Sequence, residues 1–268
     1  MAQLKGPLLF TGSIGNIRSY YDRRLKRYVV STKGGASKEL INNNPTFART
    51  RENMNEFKAC GKWASQVRKS LLAIEHLHQG TYFAQIVAMG KRIQKYDEVN
   101  AKGFRSLESS KIPVLLTLLN FNKIHPFDRV LSSRYEIGLS DDKKTVTLRL
   151  PEFKSYSRLN WPKRFDYYRI SLVIAQLPDF VWNEKDQNYQ PTINNAERLS
   201  VSAFSDWHAN NAEPEEICLT ASFAEPALQQ PGTTVIVALG IEVSAYPTGP
   251  NGNNFPGIGT MKIVQCFV

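Results

Sequence analysis

The chain has 268 residues, of which 42% are hydrophobic and 22% charged, a balance typical of globular proteins that excludes an intrinsically disordered chain. Its cysteines, Cys60, Cys218 and Cys266, lie far apart and form no Cys-x-x-Cys pair, which argues against a disulfide framework and a zinc site. No segment approaches the roughly 18 consecutive apolar residues of a membrane span, and the N-terminus lacks the pattern of a secretory signal. We therefore expect no membrane insertion, and a protein that stays in the cytoplasm or in a particle assembled there.

The net charge of +10 is confined to one end of the sequence. Residues 1–70 hold 14 Lys and Arg against four acids, whereas residues 71–268 hold 20 residues of each sign. Such a segregation of charge gives information about binding partners and association rates, and it does not determine the fold. Nucleic acid, an acidic surface of a neighbouring subunit and an anionic membrane surface are all compatible with it.

Residues 4–33 are predicted to form paired β-strands. An apolar run at residues 8–10 is followed by period-two alternation at 17–21. Residues 22–24 have turn character, and the β-branched and aromatic segment 27–32 is typical of a returning strand. An isolated hairpin is marginally stable in water, and its open edges invite strand addition, so we expect it to lie against another surface.

The next segment is predicted to be helical. Asn44-Pro45 is a strong start signal, with Asn as the N-cap and Pro at the first helical position. We predict one helix from there to about His78, a second from about Tyr82 to Asp97, and short helical turns between residues 102 and 119. The apolar residues predicted to face inward are Phe47, Met54, Phe57, Cys60, Ala64, Val67, Leu71 and Ile74 in the first helix and Phe83, Ile86, Val87 and Ile93 in the second.

From about residue 134 the sequence changes to strand-like patterns separated by Pro, Gly and Asn. The predicted strands span residues 135–139, 145–150, 167–177, 196–204, 216–223, 233–246 and 259–268. Such a series is typical of an antiparallel sandwich. The predicted fold class is α+β, with a basic β-hairpin arm (1–36), a helical segment (37–125) and an all-β sandwich-like domain (126–268).

No motif indicates catalysis, a cofactor or a metal. The glycines of residues 12–15 and 34–35 lack the frame of a phosphate-binding loop and favour turns or bulges with positive φ. His76 and His78 lie two residues apart and are predicted to diverge at a helix end, while His125 and His208 are single loop residues. We therefore predict a protein that is not an enzyme, with no catalytic, cofactor-binding or metal-binding residues.

The strongest functional signal is an interleaving of cations and aromatic rings. Single-stranded nucleic acid is bound by cations that follow phosphates and rings that stack on bases. Tyr and Arg also anchor protein–protein contacts, as they would in a β arm that clasps a neighbour. The predicted subunit or nucleic-acid contacts are Arg18, Tyr20, Tyr21, Arg23, Arg24, Lys26, Arg27, Tyr28, Arg49 and Arg51.

Three patterns in the first 57 residues resemble a family of uncharacterised bacterial proteins about 250 residues long. They are Lys-Gly-Pro-x-x-Phe-Thr-Gly-Ser-Ile-Gly-Asn at 5–16, Thr-Lys-Gly-Gly at 32–35 and Arg-Thr-Arg-Glu-Asn-x-x-Glu-Phe at 49–57. Beyond residue 70 the resemblance covers only residues 120–122 and 126–127. It implies no activity, cofactor or site.

Three functions follow from these patterns. The first is a self-associating structural subunit of a filament, tube or phage-like particle, assembled through the arm as a homo-oligomer. The second is a nucleic-acid-binding protein that uses the basic N-terminal face. The third is an enzyme or carbohydrate-binding sandwich with Trp161, Trp182 and Trp207 as stacking surfaces, although such tryptophans are more often packing residues.

Overall fold

A computed structural model describes residues 2–3, 9–80, 82–193, 200–224, 231–245 and 258–268. The chain divides into two compact units, Met1–Arg51, here called the N-terminal unit, and Glu52–Val268, here called the body. The predicted three-part division into arm, helical segment and β domain stays a prediction. Parts of other predictions, at residues 4–8, 196–199 and 246, lie outside the described residues.

The N-terminal unit contains a four-stranded antiparallel sheet in the order β1-β4-β3-β2. Its strands are β1 (Ala2–Gln3), β2 (Gly12–Ile14), β3 (Ile17–Asp22) and β4 (Arg27–Thr32). The predicted hairpin of β3 and β4 is confirmed. The prediction of a strand at the apolar run was wrong for Leu9 and Phe10, because the strand that pairs with β3 begins at Gly12.

Glycine conformation explains how β2 is connected. Gly12 has φ +125° and Gly15, in the two-residue turn between β2 and β3, has φ +56°. Both values lie in the region that glycine adopts without the clash that a Cβ atom causes. The prediction that these glycines serve backbone geometry is confirmed.

Two capping side chains set the starts of the first helical elements. Ser37 Oγ accepts from the Leu40 N–H at 3.1 Å and begins α1 (Lys38–Asn43), a helix that the sequence analysis missed. Asn44 Oδ1 accepts from the Thr46 N–H at 2.9 Å, so the predicted cap is confirmed. The element that Asn44 begins is first a 3₁₀ turn, Pro45–Phe47, and then α2 (Ala48–Ser70).

The remaining helices belong to the body. The α-helices are α3 (Tyr82–Gln94), α4 (Phe127–Val130) and α5 (Ser155–Arg158), and the 3₁₀ turns are Leu72–Leu77, Ser109–Lys111 and Pro113–Leu118. The predicted helix to His78 was therefore wrong beyond Ser70, where the chain continues as a 3₁₀ turn, whereas the turns predicted between 102 and 119 are confirmed.

The burial phase of the helices differs in part from the prediction. Met54, Phe57 and Phe83 were predicted to face inward, but all three are exposed. On this part of α2 the buried side chain is that of Glu56, whereas the adjacent Phe57 is exposed. Cys60, Ala64, Val67, Leu71, Ile74, Ile86 and Ile93 are buried as predicted.

The Glu56 carboxylate is buried because it has several partners. It accepts from the Arg105 guanidinium at 2.6 and 2.7 Å, from the Gly103 N–H at 2.9 Å and from Lys91. Burial alone would raise its pKa, but these hydrogen bonds and charges lower the pKa to about 2.

Within the described residues, the β elements of the body form three antiparallel sheets. The strands are β5 (Glu136–Leu139), β6 (Thr145–Leu150), β7 (Tyr167–Pro178), β8 (Phe180–Asn183), β9 (Asn188–Pro191), β10 (Ser200–Phe204), β11 (His208–Ala209), β12 (Ile217–Ser222), β13 (Thr233–Ser244) and β14 (Ile258–Phe267). The large sheet has the order β10-β7-β13-β14 with β11 also paired to β7, a smaller sheet has the order β12-β6-β5, and β8 pairs with β9. Where they are described, the seven predicted strands are confirmed, and β8, β9 and β11 were missed.

The large sheet is buried on both faces and separates two apolar cores. In β13, Ile236 and Ala238 belong to the core shared with the helices, whereas Val237 and Leu239 belong to the core shared with the smaller sheet. This alternation follows from the period of two along a strand. The body is therefore layered as helices, large sheet and smaller sheet, and the last two layers form the predicted sandwich.

Candidate interaction surface

The turn between β3 and β4 presents cations at the end of the hairpin. The Asp22 carboxylate accepts from the backbone N–H groups of Arg24 at 2.8 Å and Leu25 at 3.1 Å, and Lys26 adopts φ +48°. Asp is favoured at such positions because its side chain hydrogen-bonds to the backbone two and three residues on. The turn therefore fixes Arg23, Arg24 and Lys26 as an exposed basic tip.

One face of the sheet is apolar. Paired residues share a face, and the register pairs Ile14 with Ile17 and Tyr21 with Tyr28, whose rings form a T-shaped contact at 5.2 Å. Val30 lies on the same face, opposite Ser19. We call Ile14, Ile17, Tyr21, Tyr28 and Val30 the apolar face. Its large side chains are open, since Ile14 is 65% exposed and Tyr21 48% exposed.

The opposite face carries the charge of the strands. Arg18, Tyr20 and Arg27 alternate with the residues of the apolar face along β3 and β4, and we call them the basic face. The Arg18 guanidinium lies 5.6 Å from the centre of the Tyr20 ring, a cation–π contact. Arginine and aromatic side chains thus occur together on this face.

Arg49 and Arg51 lie near the start of α2, with different exposure. Arg51 donates to the carbonyl oxygens of Ile41 at 2.7 Å and Asn44 at 3.0 Å, so its guanidinium holds the connection between α1 and α2. Arg49 is exposed. The basic tip, the two faces of the sheet and the start of α2 thus divide the ten predicted contact residues among four places, and their role as contacts stays a prediction.

The sequence analysis missed the most unusual property of this unit, which is how few of its described residues are buried. Of residues 9–51, only Ser19 and Val29 are buried. Leu9, Ile14, Ile17, Leu25 and Leu40 are all exposed apolar side chains. The period-two pattern of β3 already contained part of this signal, because it places Ile17 and Tyr21 on one face and Arg18 on the other.

The tryptophans that suggested carbohydrate binding have separate ring neighbours. Trp182 packs against Phe104 and Tyr189 with ring centres 5.0 and 5.2 Å apart, and Trp207 lies under the Arg169 guanidinium at 4.8 Å. Trp161 lines a cavity together with His125. A shared stacking platform is therefore not formed by the three rings.

No family model, curated protein or solved structure matches the chain. The resemblance to a bacterial family stays a prediction from three short patterns. Within the described residues, no helix is both long and apolar enough to cross a membrane.

Proposed function

We propose that the protein is a non-enzymatic structural subunit that associates with copies of itself through its N-terminal unit. The observation that carries this proposal is the exposed apolar face on a sheet in a unit where only two of residues 9–51 are buried. A small sheet without a hydrophobic face covered by another element is not stable in water. A partner surface that buries Ile14, Ile17 and Tyr21 would supply that cover.

The distribution of charge favours a second copy as this partner. The strand cations Arg18 and Arg27 lie on the basic face, so two apolar faces can pack together without opposing those like charges across the contact. A face-to-face contact of this kind is self-complementary and closes as a pair. Longer filaments, tubes or particles then require a second contact.

Residues 1–51 hold ten Lys and Arg against two acids, which gives the test of this proposal a distinct salt dependence. Copies joined through their apolar faces repel each other at low ionic strength, so added salt should increase the size of the species in light scattering. Binding to nucleic acid has the opposite dependence, because salt competes with the release of counterions.

A pair of variants tests the surface directly. Ile14→Ser combined with Ile17→Ser should convert large species to monomers in light scattering and electron microscopy. The matched control, Val99→Ser with Leu118→Ser, replaces two exposed apolar residues of the body and should leave assembly unchanged. A strict monomer at physiological salt for the unaltered chain, or equal assembly by both double variants, would refute the proposal.

The second candidate function is nucleic-acid binding, favoured by the basic tip and by the Arg18–Tyr20 pair. Changing Arg23, Arg24 and Arg27 to Ala should then abolish retention of single-stranded DNA or RNA in a gel shift at low salt, while the Ile14→Ser/Ile17→Ser variant retains it. No retention by the unaltered chain would exclude this function.

A further inference from the structure

Three of the four histidines of the chain line one cavity in the body. His76, His78 and His125 meet there with Trp161 and Lys163 around a space of about 230 Å³. The sequence analysis predicted that His76 and His78 diverge, and this was wrong. The α-helix ends at Ser70, the chain continues as a 3₁₀ turn, and His78 follows it in an extended conformation with ψ 157°.

A buried acid, Glu242, holds the His76 imidazole in place. His76 Nε2 lies 3.4 Å from a carboxylate oxygen of Glu242, which is only 3% exposed and also accepts from Arg169 at 2.6 Å. Burial alone would raise the pKa of Glu242, but the hydrogen bonds from His76 and Arg169 lower it.

His78 is oriented by its own turn. Its Nδ1 lies 2.5 Å from the Glu75 carbonyl oxygen, and its ring lies 4.0 Å from the Tyr82 ring. The Glu75 carboxylate accepts from Arg68 at 2.5 Å and from the Tyr82 hydroxyl. Glu75 and Glu242 are thus each paired with an arginine.

The buried Asn122 amide connects two further segments that line the cavity. Asn122 is only 2% exposed. Its Oδ1 accepts from the backbone N–H of His125 at 2.8 Å, and its amide nitrogen donates to the backbone carbonyl oxygen of Gly259 at 2.9 Å. The His125 ring in turn lies against the Trp161 ring at 4.7 Å. Three distant segments of the chain are thus joined around one space, with their side chains held by buried groups.

The lining combines one cation with uncharged polar groups. Within the described residues, the Lys163 ammonium, the His125 ring and the Gln79 amide of the lining have no side-chain hydrogen bond, and no lining residue is acidic. With a cation and no carboxylate in the lining, the charge of this arrangement favours an anionic ligand over a neutral sugar. The three histidines also form no group that could hold a metal ion.

We infer that this cavity binds a small oxyanion, a carboxylate or a phosphate, attached to a flat apolar body that packs against Trp161. Lys163 and His125 contact the anionic oxygens, and the aromatic surface of Trp161 contacts the apolar body. The volume is below the roughly 300 to 1,000 Å³ of pockets for drug-sized ligands, which limits the ligand to a single ring or a short chain.

The test uses benzoate, phenyl phosphate and the neutral benzyl alcohol as probes of the full-length protein in isothermal titration calorimetry. We expect saturable binding of one or both anions and none of benzyl alcohol, and the two anions distinguish a carboxylate ligand from a phosphate ligand. Lys163→Gln should weaken anion binding at least tenfold, whereas Lys95→Gln, an exposed lysine outside the cavity, should not change it.

Fluorescence provides a second readout that depends on contact with the ring. Phenyl phosphate should change the tryptophan emission of the unaltered protein, and Trp161→Phe should remove that change while the protein keeps its thermal unfolding temperature. Three results would overturn the inference: no saturable binding of either anion, binding of benzyl alcohol as tight as that of the anions, or unaltered binding by Lys163→Gln. None of them bears on assembly through the N-terminal unit.

Discussion

In the body, Trp63, Ile74 and Ile236 have no exposed surface, whereas in the N-terminal unit Ile14, Ile17 and Tyr21 leave about half or more of theirs open. Both units contain β-sheets with alternating patterns, so alternation alone does not determine burial. The difference lies in what covers each face, since the large sheet of the body lies between helices and a second sheet. Stability should therefore reside in the body and association in the N-terminal unit.

The largest effect is expected from truncation of the largest fully buried side chain among the described residues. Trp63→Ala should lower the free energy of unfolding of the body by about 3–5 kcal/mol, because it leaves a cavity between α2 and its neighbours. Tyr21→Ala, in the N-terminal unit, should leave that free energy within about 0.5 kcal/mol of the unaltered value. Urea denaturation followed by far-UV circular dichroism measures both, and similar losses for the two variants would contradict the contrast.

The buried Glu56 should make the body acid-sensitive. Its folded-state pKa of about 2 lies below the ordinary value of 4.5, so its contribution is complete above pH 4.5 and disappears as the pH falls toward 2. That difference corresponds to roughly 3 kcal/mol.

Glu56→Gln tests this assignment. The variant should unfold more easily at pH 7, because Arg105 and Lys91 lose their shared carboxylate, and it should lose less stability than the unaltered chain between pH 5 and pH 2.5. Denaturant midpoints across this range give the comparison. An identical pH dependence for the two proteins would show that another group is responsible.

Gly240, in strand β13 of the large sheet, is packed so closely that an added methyl group should lower the stability of the body. A Cβ atom at Gly240 would lie 2.6 Å from Ser171 Oγ and 2.8 Å from Leu77 Cδ1, so Gly240→Ala should cost about 1–3 kcal/mol. Gly138→Ala, also in a strand, places its Cβ in open space and serves as the control. Thermal unfolding should separate the two, and equal melting temperatures would be inconsistent with this packing.

The smallest effect is expected at the cap of α1 in the N-terminal unit. Ser37→Ala removes the acceptor for the Leu40 N–H and should destabilise this short helix by about 1 kcal/mol without altering the unfolding of the body. Hydrogen exchange at the Leu40 amide should become faster, while the amides of β13 keep their protection. Slower or unchanged exchange at Leu40 would show that Ser37 does not support the helix.

The sequence allowed prediction of elements whose pattern is local. The β3–β4 hairpin, the Asn44 cap and the described parts of the seven later strands all follow from spacing, turn residues and capping residues within a few positions of one another. The phase of α2 could not be predicted, because Glu56 is buried by Arg105 and Lys91, which are distant in sequence. The histidine-lined cavity was missed for the same reason, since His78, His125 and Trp161 meet only through tertiary packing.

The pairing of β7 with β13 has a consequence for the order of events during synthesis. Pro178 pairs with Thr233, so the large sheet cannot close until the ribosome has made a long intervening segment, whereas Asp22 and Arg27 pair across a four-residue turn. A nascent chain therefore exposes the complete hairpin segment while its body is still incomplete. If the apolar face joins subunits, neighbouring ribosomes on one message would bring these faces together during translation, before free subunits accumulate.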